Sequence, residues 1–359
     1  KDREGILMKK QDLKSLSRKE MKEWFVEEGY PAYRAEQVFN WIYRHGADDF
    51  AAMQNIPAAL RGELEEKAYV KSNLAPEEAL YAEDGTVKFL WKMTDGHFIE
   101  SVFLPYPEEK RYSICISSQV GCAMNCSFCA TARGGLVRNL TTGEIVDQVL
   151  GIQREISREK YGQPGITNVV FMGMGEPLAN LPAVLKAIEI LNDEKGFNIG
   201  MRRITLSTCG LVPEIRELAR MDLQLVLAVS LNGPNNQIRN KLMPINKKYP
   251  IEELLEAVKY YIDKTGRRVS FEYILIDKLN DSPEQARELA DLLQGILCHI
   301  NLIPLNPVRE FAYGRPAGDS INRFREILLA EGIECTVRQE RGTGIEAACG
   351  QLRHLRNKG

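Results

Sequence analysis

The 359-residue sequence predicts an α/β fold: six strand–helix units forming a parallel sheet, doubly wound or an incomplete barrel, behind a small helical region. Three observations lead there. From Arg111 onward, short β-branched runs alternate six times with amphipathic helical stretches, the pattern of a parallel sheet with helical crossovers. Residues 1 to about 75 carry helical periodicity instead. A length of 359 residues, 44% of them hydrophobic and 27% charged, suits about two globular domains at roughly 150 residues each.

Each element has a local reason. Ser17-Arg18-Lys19-Glu20 is a capping box opening a helix through Glu27 and Glu28. Val38, Phe39, Trp41 and Ile42 recur at helical spacing over Ala35 to Arg44, and His45-Gly46 is the stop signal. A third helix is expected over Pro57 to Ala68. Between about 78 and 104, Lys88–Lys92 and His97–Glu100 alternate, with turn signals at Asp84-Gly85 and Asp95-Gly96, which predicts a small antiparallel connector sheet. The parallel strands are expected at 111–118, 167–172, 203–208, 224–231, 268–276 and 298–305. Their helices are expected at 142–159, 181–193, 213–220, 251–264, 283–294 and 320–331. The domain boundaries that follow are 1–75 for a helical accessory domain, 76–110 for the connector and 111–359 for the α/β domain with its C-terminal loop.

Composition narrows the function classes. The chain is neither disordered nor collagen-like, and no apolar run reaches the roughly 20 residues of a membrane span. No secretory signal follows Lys1-Asp2-Arg3-Glu4-Gly5, so a cytoplasmic location and no membrane partner are expected. A formal charge of −2 is no sign of a nucleic-acid binder, although a basic groove can hide behind acidic helices. The basic clusters Arg202-Arg203, Lys247-Lys248, Arg267-Arg268 and Arg353 to Lys358 are short and read first as solvated faces. Eight cysteines are too sparse for a disulfide scaffold.

Four of those cysteines, Cys115, Cys122, Cys126 and Cys129, lie within fifteen residues of one another, with no histidine nearby. Cys122, Cys126 and Cys129 form a CxxxCxxC run just after the first strand. Three thiolates in one loop can hold three corners of a cuboidal iron–sulfur cluster and leave one metal position open for a small molecule. Structural zinc and unrelated buried cysteines are the bland alternatives. In a barrel-like sheet, functional groups gather at the C-terminal ends of the strands. Gly173-Met174-Gly175-Glu176-Pro177, Ser207, Ser230 with Asn232, and Asn306 do so, outlining one mouth. A nucleotide-loop reading of Gly173-Met174-Gly175 fails because Leu178 stands where a third glycine is needed.

On these residues the chain resembles the radical S-adenosylmethionine (SAM) superfamily, which implies a partial (β/α)6 radical SAM barrel. The resemblance implies a 4Fe–4S cluster on Cys122, Cys126 and Cys129 whose open iron chelates the amino and carboxylate groups of SAM. It implies that Gly175 and Glu176 contact the SAM amino group and that Ser207, Ser230, Leu231, Asn232 and Asn306 line the rest of the pocket. Electron transfer then yields a 5′-deoxyadenosyl radical, chemistry that belongs to the cofactor while the protein orients it.

Two more cysteines narrow the family. Alternation places Ser113, Cys115 and Ser117 on one face, a combination suited to a wet cavity, and the glycines of Arg341–Gln351 suggest an adaptable loop around Cys349. Cys209, Cys298 and Cys335 read as buried and inert. With Ser117–Cys122, Leu242–Asn246 and Ala347–Leu352, the chain is similar to the RlmN/Cfr family of RNA adenosine methyltransferases over nearly its whole length. A nucleophilic route to C2 of adenine is closed, because that amidine carbon is electron-poor and a radical partner is needed. The resemblance implies that one SAM methylates Cys349 and a second generates the radical that takes hydrogen from that methyl. The methylene radical adds to the adenine, a base removes the ring proton, and Cys115 attacks the Cys349 sulfur, releasing product and leaving a disulfide to be reduced.

The family's base matches Glu100, although this sequence carries two extra residues between it and Cys115. Asn232 stands where the family has His, which keeps a neutral hydrogen bond but loses any imidazole proton. Lys247-Lys248 and Arg239 are expected phosphate contacts. Pro177, Val120 and Arg341-Gly342 favour the C2-methylating branch over a Cfr-type C8 branch. The implied partners are 23S ribosomal RNA, transfer RNA and a flavodoxin- or ferredoxin-type electron donor, with the target adenosine swung out of its stack into the barrel mouth. A non-catalytic RNA-binding protein with a structural metal, and a glycyl-radical-activating enzyme, are the competing classes; the second leaves Cys115 and Cys349 without a role.

Overall fold

The computed structural model of the chain describes residues 10–158, 165–306 and 311–352. The N-terminal run Lys1–Gly5 and the basic tail Arg353–Lys358 lie outside the described residues. Helix α1 (Arg18–Glu27) opens on the expected capping box: Ser17 Oγ accepts from Glu20 N, and the Glu20 carboxylate accepts from Ser17 N at 2.8 Å. Helix α2 (Ala32–Arg44) starts three residues earlier than its apolar spacing implies, because Pro31 in extended geometry serves as its N-cap. Helix α3 (Ala58–Lys67) follows Pro57 in the same way. Met21, Phe25, Val38, Phe39, Ile42 and Leu64 form the buried face, continuous with the core of the sheet. A short parallel pairing of Gln11–Asp12 with Ala68–Tyr69 closes this unit.

Ten strands follow, and each pairs with its neighbour in the chain. They are β1 (Leu74–Tyr81), β2 (Val87–Met93), β3 (Phe98–Tyr106), β4 (Arg111–Cys115), β5 (Asn168–Phe171), β6 (Ile204–Thr208), β7 (Val226–Ser230), β8 (Val269–Leu275), β9 (Cys298–Pro304) and β10 (Cys335–Val337). The first three are antiparallel, β3 pairs antiparallel with β4, and β4 through β10 are parallel. The connector is therefore not a sheet of its own. Four residues, Pro107–Lys110, join β3 to β4 with Tyr106 opposite Arg111, so the antiparallel strands extend the barrel sheet. With Val102 opposite Cys115, Glu100 lies two residues along β3 from the position that faces Cys115.

The six expected parallel strands are present, and β10 adds a seventh. Helices α4 (Thr142–Arg158), α5 (Leu181–Asn192), α6 (Val212–Leu218), α7 (Asn236–Leu242), α8 (Ile251–Thr265), α9 (Pro283–Leu293) and α10 (Gly318–Ala330) supply the connections. Between β4 and α4, Gln119–Gly121 pairs antiparallel with Leu136–Asn139, bracketing the cysteine loop. No helix among the described residues is long and apolar enough to cross a membrane.

Candidate active site

The cysteine loop leaves this ribbon at Cys122, turns through Asn125 in left-handed geometry (φ 52°), and closes with the Cys129 amide donating to the Cys126 carbonyl at 3.1 Å. Cys129 then caps the one-turn helix Ala130–Arg133. All three cysteines line one cavity of about 790 Å³, partly open to solvent, with Gly175, Glu176, Ser207, Ser230 and Asn232. The structure thus gathers most of the mouth expected from strand ends. Burial pushes the Cys122 thiol up to about 12 and raises Cys126 and Cys129 as well. The protein alone therefore favours neutral thiols there; a bound metal reverses that preference by deprotonating its sulfur ligands. Among the described residues no three or more His, Cys, Asp or Glu side chains converge as a single metal ion needs. A cuboidal cluster takes each thiolate on a different iron, and three cysteines along one cavity wall suit it.

The Gly173–Pro177 turn is fixed by close contacts. Gly175 has φ +104°, and a Cβ there would lie 2.6 Å from Gln119 Cβ, so only glycine is accommodated. The Glu176 carboxylate is committed locally: Oε2 accepts from Cys209 N at 2.8 Å and Oε1 from Leu178 N at 3.0 Å. Burial raises its pKa, with those amides opposing. Asn232 adopts φ +58°, a left-handed region that asparagine tolerates. Its Oδ1 accepts from Ile274 N at 2.9 Å, tying β7 to β8.

Three expectations shift. Leu231 is fully buried and lines neither cavity; its amide donates to the Glu272 carbonyl. Asn306 lines a second cavity, described below, rather than the cysteine cavity. Arg239 is fully buried rather than presented to a phosphate: it donates to the carbonyls of Ser230 (2.7 Å), Leu231 (2.5 Å) and Cys209 (2.6 Å), stapling the ends of β6 and β7. Its place in α7 next to those strand ends was not visible from charge alone.

The second cavity, about 600 Å³, is lined by Cys115, Cys349, Tyr106, Asn306 and Arg338. Cys349 borders both cavities. Its loop is anchored rather than loose. The Ala130 amide donates to the Gly350 carbonyl at 2.7 Å, Thr131 Oγ1 donates to the Leu352 carbonyl, and Gly342 N donates to Asp84 at 3.0 Å. Cys115 and Cys349 are both free thiols. Burial pushes Cys115 up to about 12, with Cys349 adding and Arg338 opposing. Ser113 and Ser117 do not share the cavity: Ser117 Oγ donates to the Glu100 carbonyl and accepts from Met174 N, so only the cysteine of that face is open.

Arg338, which sequence reasoning missed, donates through Nη1 to Cys349 Sγ at 3.4 Å. It follows β10, the strand that also went unforeseen. Glu100 is buried, lines neither cavity and pairs with Lys88 at 3.4 Å. Cys298 and Cys335 lie away from both cavities, with thiols raised to about 11, whereas Cys209 borders the cysteine cavity.

Known proteins resemble the chain along its length. Residues 116–292 match the radical SAM superfamily, and residues 11–70 match the ribosomal RNA large subunit methyltransferase N-terminal domain. A probable dual-specificity RNA methyltransferase RlmN from Thermoanaerobacter sp. (strain X514) is 49% identical over 343 residues, covering 95% of this chain and 97% of the relative. The chain belongs to the RlmN family. A counterpart from Clostridium tetani is 47% identical over 342 residues, covering 95% of each chain. The crystal structure of a radical SAM methyltransferase from Sphaerobacter thermophilus superposes with a TM-score of 0.90 at 49% identity, covering 96% of this chain and 99% of that one. As an RlmN-family protein the chain has the radical SAM fold behind an N-terminal domain, and its cofactors are a 4Fe–4S cluster and SAM.

Proposed function

We propose that this RlmN-family chain is a cytoplasmic RNA methyltransferase that methylates C2 of an adenosine in 23S ribosomal RNA, and in transfer RNA, through a methyl group carried on Cys349. The observation that carries the reading is the place of Cys349 on the border of two cavities, one walled by the CxxxCxxC cysteines and the other by Cys115. A methyl carrier must face the methyl donor on one side and the acceptor on the other, with a resolving thiol in reach of the acceptor side.

In this reading Cys122, Cys126 and Cys129 hold the cluster, and Gly175, Glu176, Ser207, Ser230 and Asn232 hold SAM. When bound, the reduced cluster supplies the electron that converts SAM to a hydrogen-abstracting radical. Cys349 reacts as a thiolate, and the Arg338 N–H directed at its sulfur stabilises that charge. Carbon–carbon bond formation leaves an unpaired electron on the ring, which would return to the oxidised cluster while the ring proton goes to the base. Cys115 then attacks the Cys349 sulfur of the closed-shell adduct. The C–S electron pair leaves with the adenine-bound methylene, which takes up a proton to become the product methyl, and the two cysteines are left as a disulfide. A flavodoxin- or ferredoxin-type donor supplies the electrons for the cluster. Glu100 is the proposed acceptor of the ring proton; it acts only after turning from Lys88 toward the second cavity.

The test is anaerobic. Reconstituted enzyme, reductant, methyl-deuterated SAM and protein-free ribosomal RNA or transfer RNA are combined, and the digested RNA is read by nucleoside mass spectrometry. Labelled 2-methyladenosine supports the reading, 8-methyladenosine moves the protein to C8 chemistry, and SAM cleavage without RNA methylation on either RNA refutes it.

A further inference from the structure

Among the described residues, one oxygen of a buried carboxylate that faces a cavity has no hydrogen-bond partner. Strand β8 reads Val269-Ser270-Phe271-Glu272-Tyr273-Ile274-Leu275, and Glu272 is its one charged residue, 5% exposed in a central strand of the sheet. Its Oε1 accepts from Asn301 Nδ2 at 2.8 Å, and Asn301 is fixed in turn by Thr336 Oγ1 donating to its Oδ1 at 3.0 Å. Oε2 is buried and has no hydrogen-bond partner. Glu272 makes no salt bridge among the described residues, although the Arg338 guanidinium lies near enough to favour its charged form, against burial, which disfavours it. An unsatisfied carboxylate oxygen in a strand that an aliphatic residue would suit is costly unless something else supplies the donor.

The cavity is where such a donor can enter. Glu272 lines the same space as the three cluster cysteines, Ser230 and Asn232, and sits opposite Ser230 in the β7–β8 register. Ile274, two residues on and on the same face, lines it too. The reading of this cavity as the SAM site, on which the inference rests, assigns the amino acid end of the ligand to the cysteine loop and to Gly175–Glu176, beyond β4 and β5. Strand β8 is three positions from β5 in the sheet, about 14 Å along it at the usual strand spacing. Glu272 therefore faces the nucleoside end of the ligand. The donors there are the two ribose hydroxyls and the adenine amine. One free carboxylate oxygen has lone-pair sites for two donors, and an acidic side chain on a ribose diol is a recurrent solution in nucleotide sites.

We propose that Glu272 is a SAM-binding residue whose Oε2 accepts hydrogen bonds from the ribose hydroxyls. Asn301, held by Thr336, acts as the positioning residue that aims the carboxylate.

The experiment is equilibrium binding to anaerobically reconstituted, cluster-loaded protein, with no turnover needed. SAM, 2′-deoxy-SAM and 3′-deoxy-SAM are titrated into wild type, E272Q and E272D, with cluster absorbance as the check on folding. The expected result is that E272Q weakens SAM about tenfold or more, since a charge-assisted bond is lost. The same substitution should weaken at least one deoxy analogue far less, because the hydroxyl it served is missing. Equal SAM affinity in wild type and folded E272Q overturns the proposal. So does an undiminished loss with both deoxy analogues, which would move the contact to the adenine amine. If E272Q loses the cluster, E272D is read the same way, since it keeps the charge and shortens the reach. Wild-type holoprotein that binds no SAM overturns the reading of the cavity itself, an outcome distinct from either of these.

Discussion

The joint between the N-terminal helices and the barrel contains a buried ion pair, and breaking it from one side should be costly. Lys14 and Asp147 are 1% and 0% exposed, with Nζ at 2.7 Å from Oδ1 and 2.8 Å from Oδ2. The third ammonium proton goes to the Lys71 carbonyl at 2.6 Å, and Asp147 Oδ2 also accepts from Asn73 N at 2.8 Å. Every group is satisfied, so Lys14→Met strands a buried carboxylate whose remaining partner is an amide. Breaking such a pair from one side costs about 3–5 kcal/mol. Burial raises the Asp147 carboxyl above its ordinary value, with Lys14 and the Asn73 amide opposing. A carboxyl held above its unfolded value contributes stability at acid pH that is lost as pH rises through the folded value. Removing Lys14 enlarges that rise, so the penalty should be largest above neutrality and shrink on acidification as Asp147 protonates. Urea unfolding followed by tryptophan fluorescence reports this directly, because Trp24 and Trp41 lie in α1 and α2. The double variant Lys14→Met, Asp147→Leu should recover most of the loss, since an apolar pair replaces a desolvated one. A penalty under about 1 kcal/mol at pH 8, or one that grows on acidification, would refute the reasoning.

Further predictions concern the chemistry. Arg338→Met should slow methylation of Cys349 by SAM roughly 10- to 150-fold, the worth of a hydrogen bond to a charged group of about 1.5–3 kcal/mol, read by peptide mass spectrometry in single turnover. Cys115→Ala should trap an RNA–protein adduct through Cys349, visible as a shifted band on a denaturing gel; free product at the normal rate would remove Cys115 from the resolving role. Because burial holds Cys115 at about 12, resolution of that adduct in wild type should accelerate with pH between about pH 7 and 9. Gly175→Ala should abolish SAM binding in dialysis while leaving cluster absorbance, as its Cβ would collide with Gln119 in a backbone conformation alanine rarely adopts.

Helix α1 was legible because Ser17 and Glu20 carry a local signal, and the six parallel strands because each pairs an apolar run with a following helix. Strand β10 was not: Cys335-Thr336-Val337 is too short for a period, and only pairing with β9 makes it a strand. The antiparallel strands were legible as strands but not as part of the barrel sheet, since edge-to-edge pairing is a long-range property that alternation does not encode. Within the site, the CxxxCxxC loop, Gly175, Glu176, Ser207, Ser230 and Asn232 were placed by motif and strand-end logic. Arg338 had no local signal, since it is one arginine among many until β10 positions it beside Cys349. Arg239 read as a phosphate contact because the burial of a lone arginine cannot be inferred from its charge. Glu272 carried a signal that went unused: a lone acid in a run that otherwise suits a buried strand is an anomaly that often marks function.

The central claim is that Cys349 carries the methyl carbon that ends on the RNA. The direct measurement loads the enzyme with trideuteromethyl on Cys349 from labelled SAM, removes the excess, and runs one anaerobic turnover with unlabelled SAM and RNA. The account predicts 2-methyladenosine whose methyl holds two deuteriums and one solvent-derived hydrogen, with the third deuterium in 5′-deoxyadenosine. An unlabelled RNA methyl, or one that keeps all three deuteriums, would contradict it.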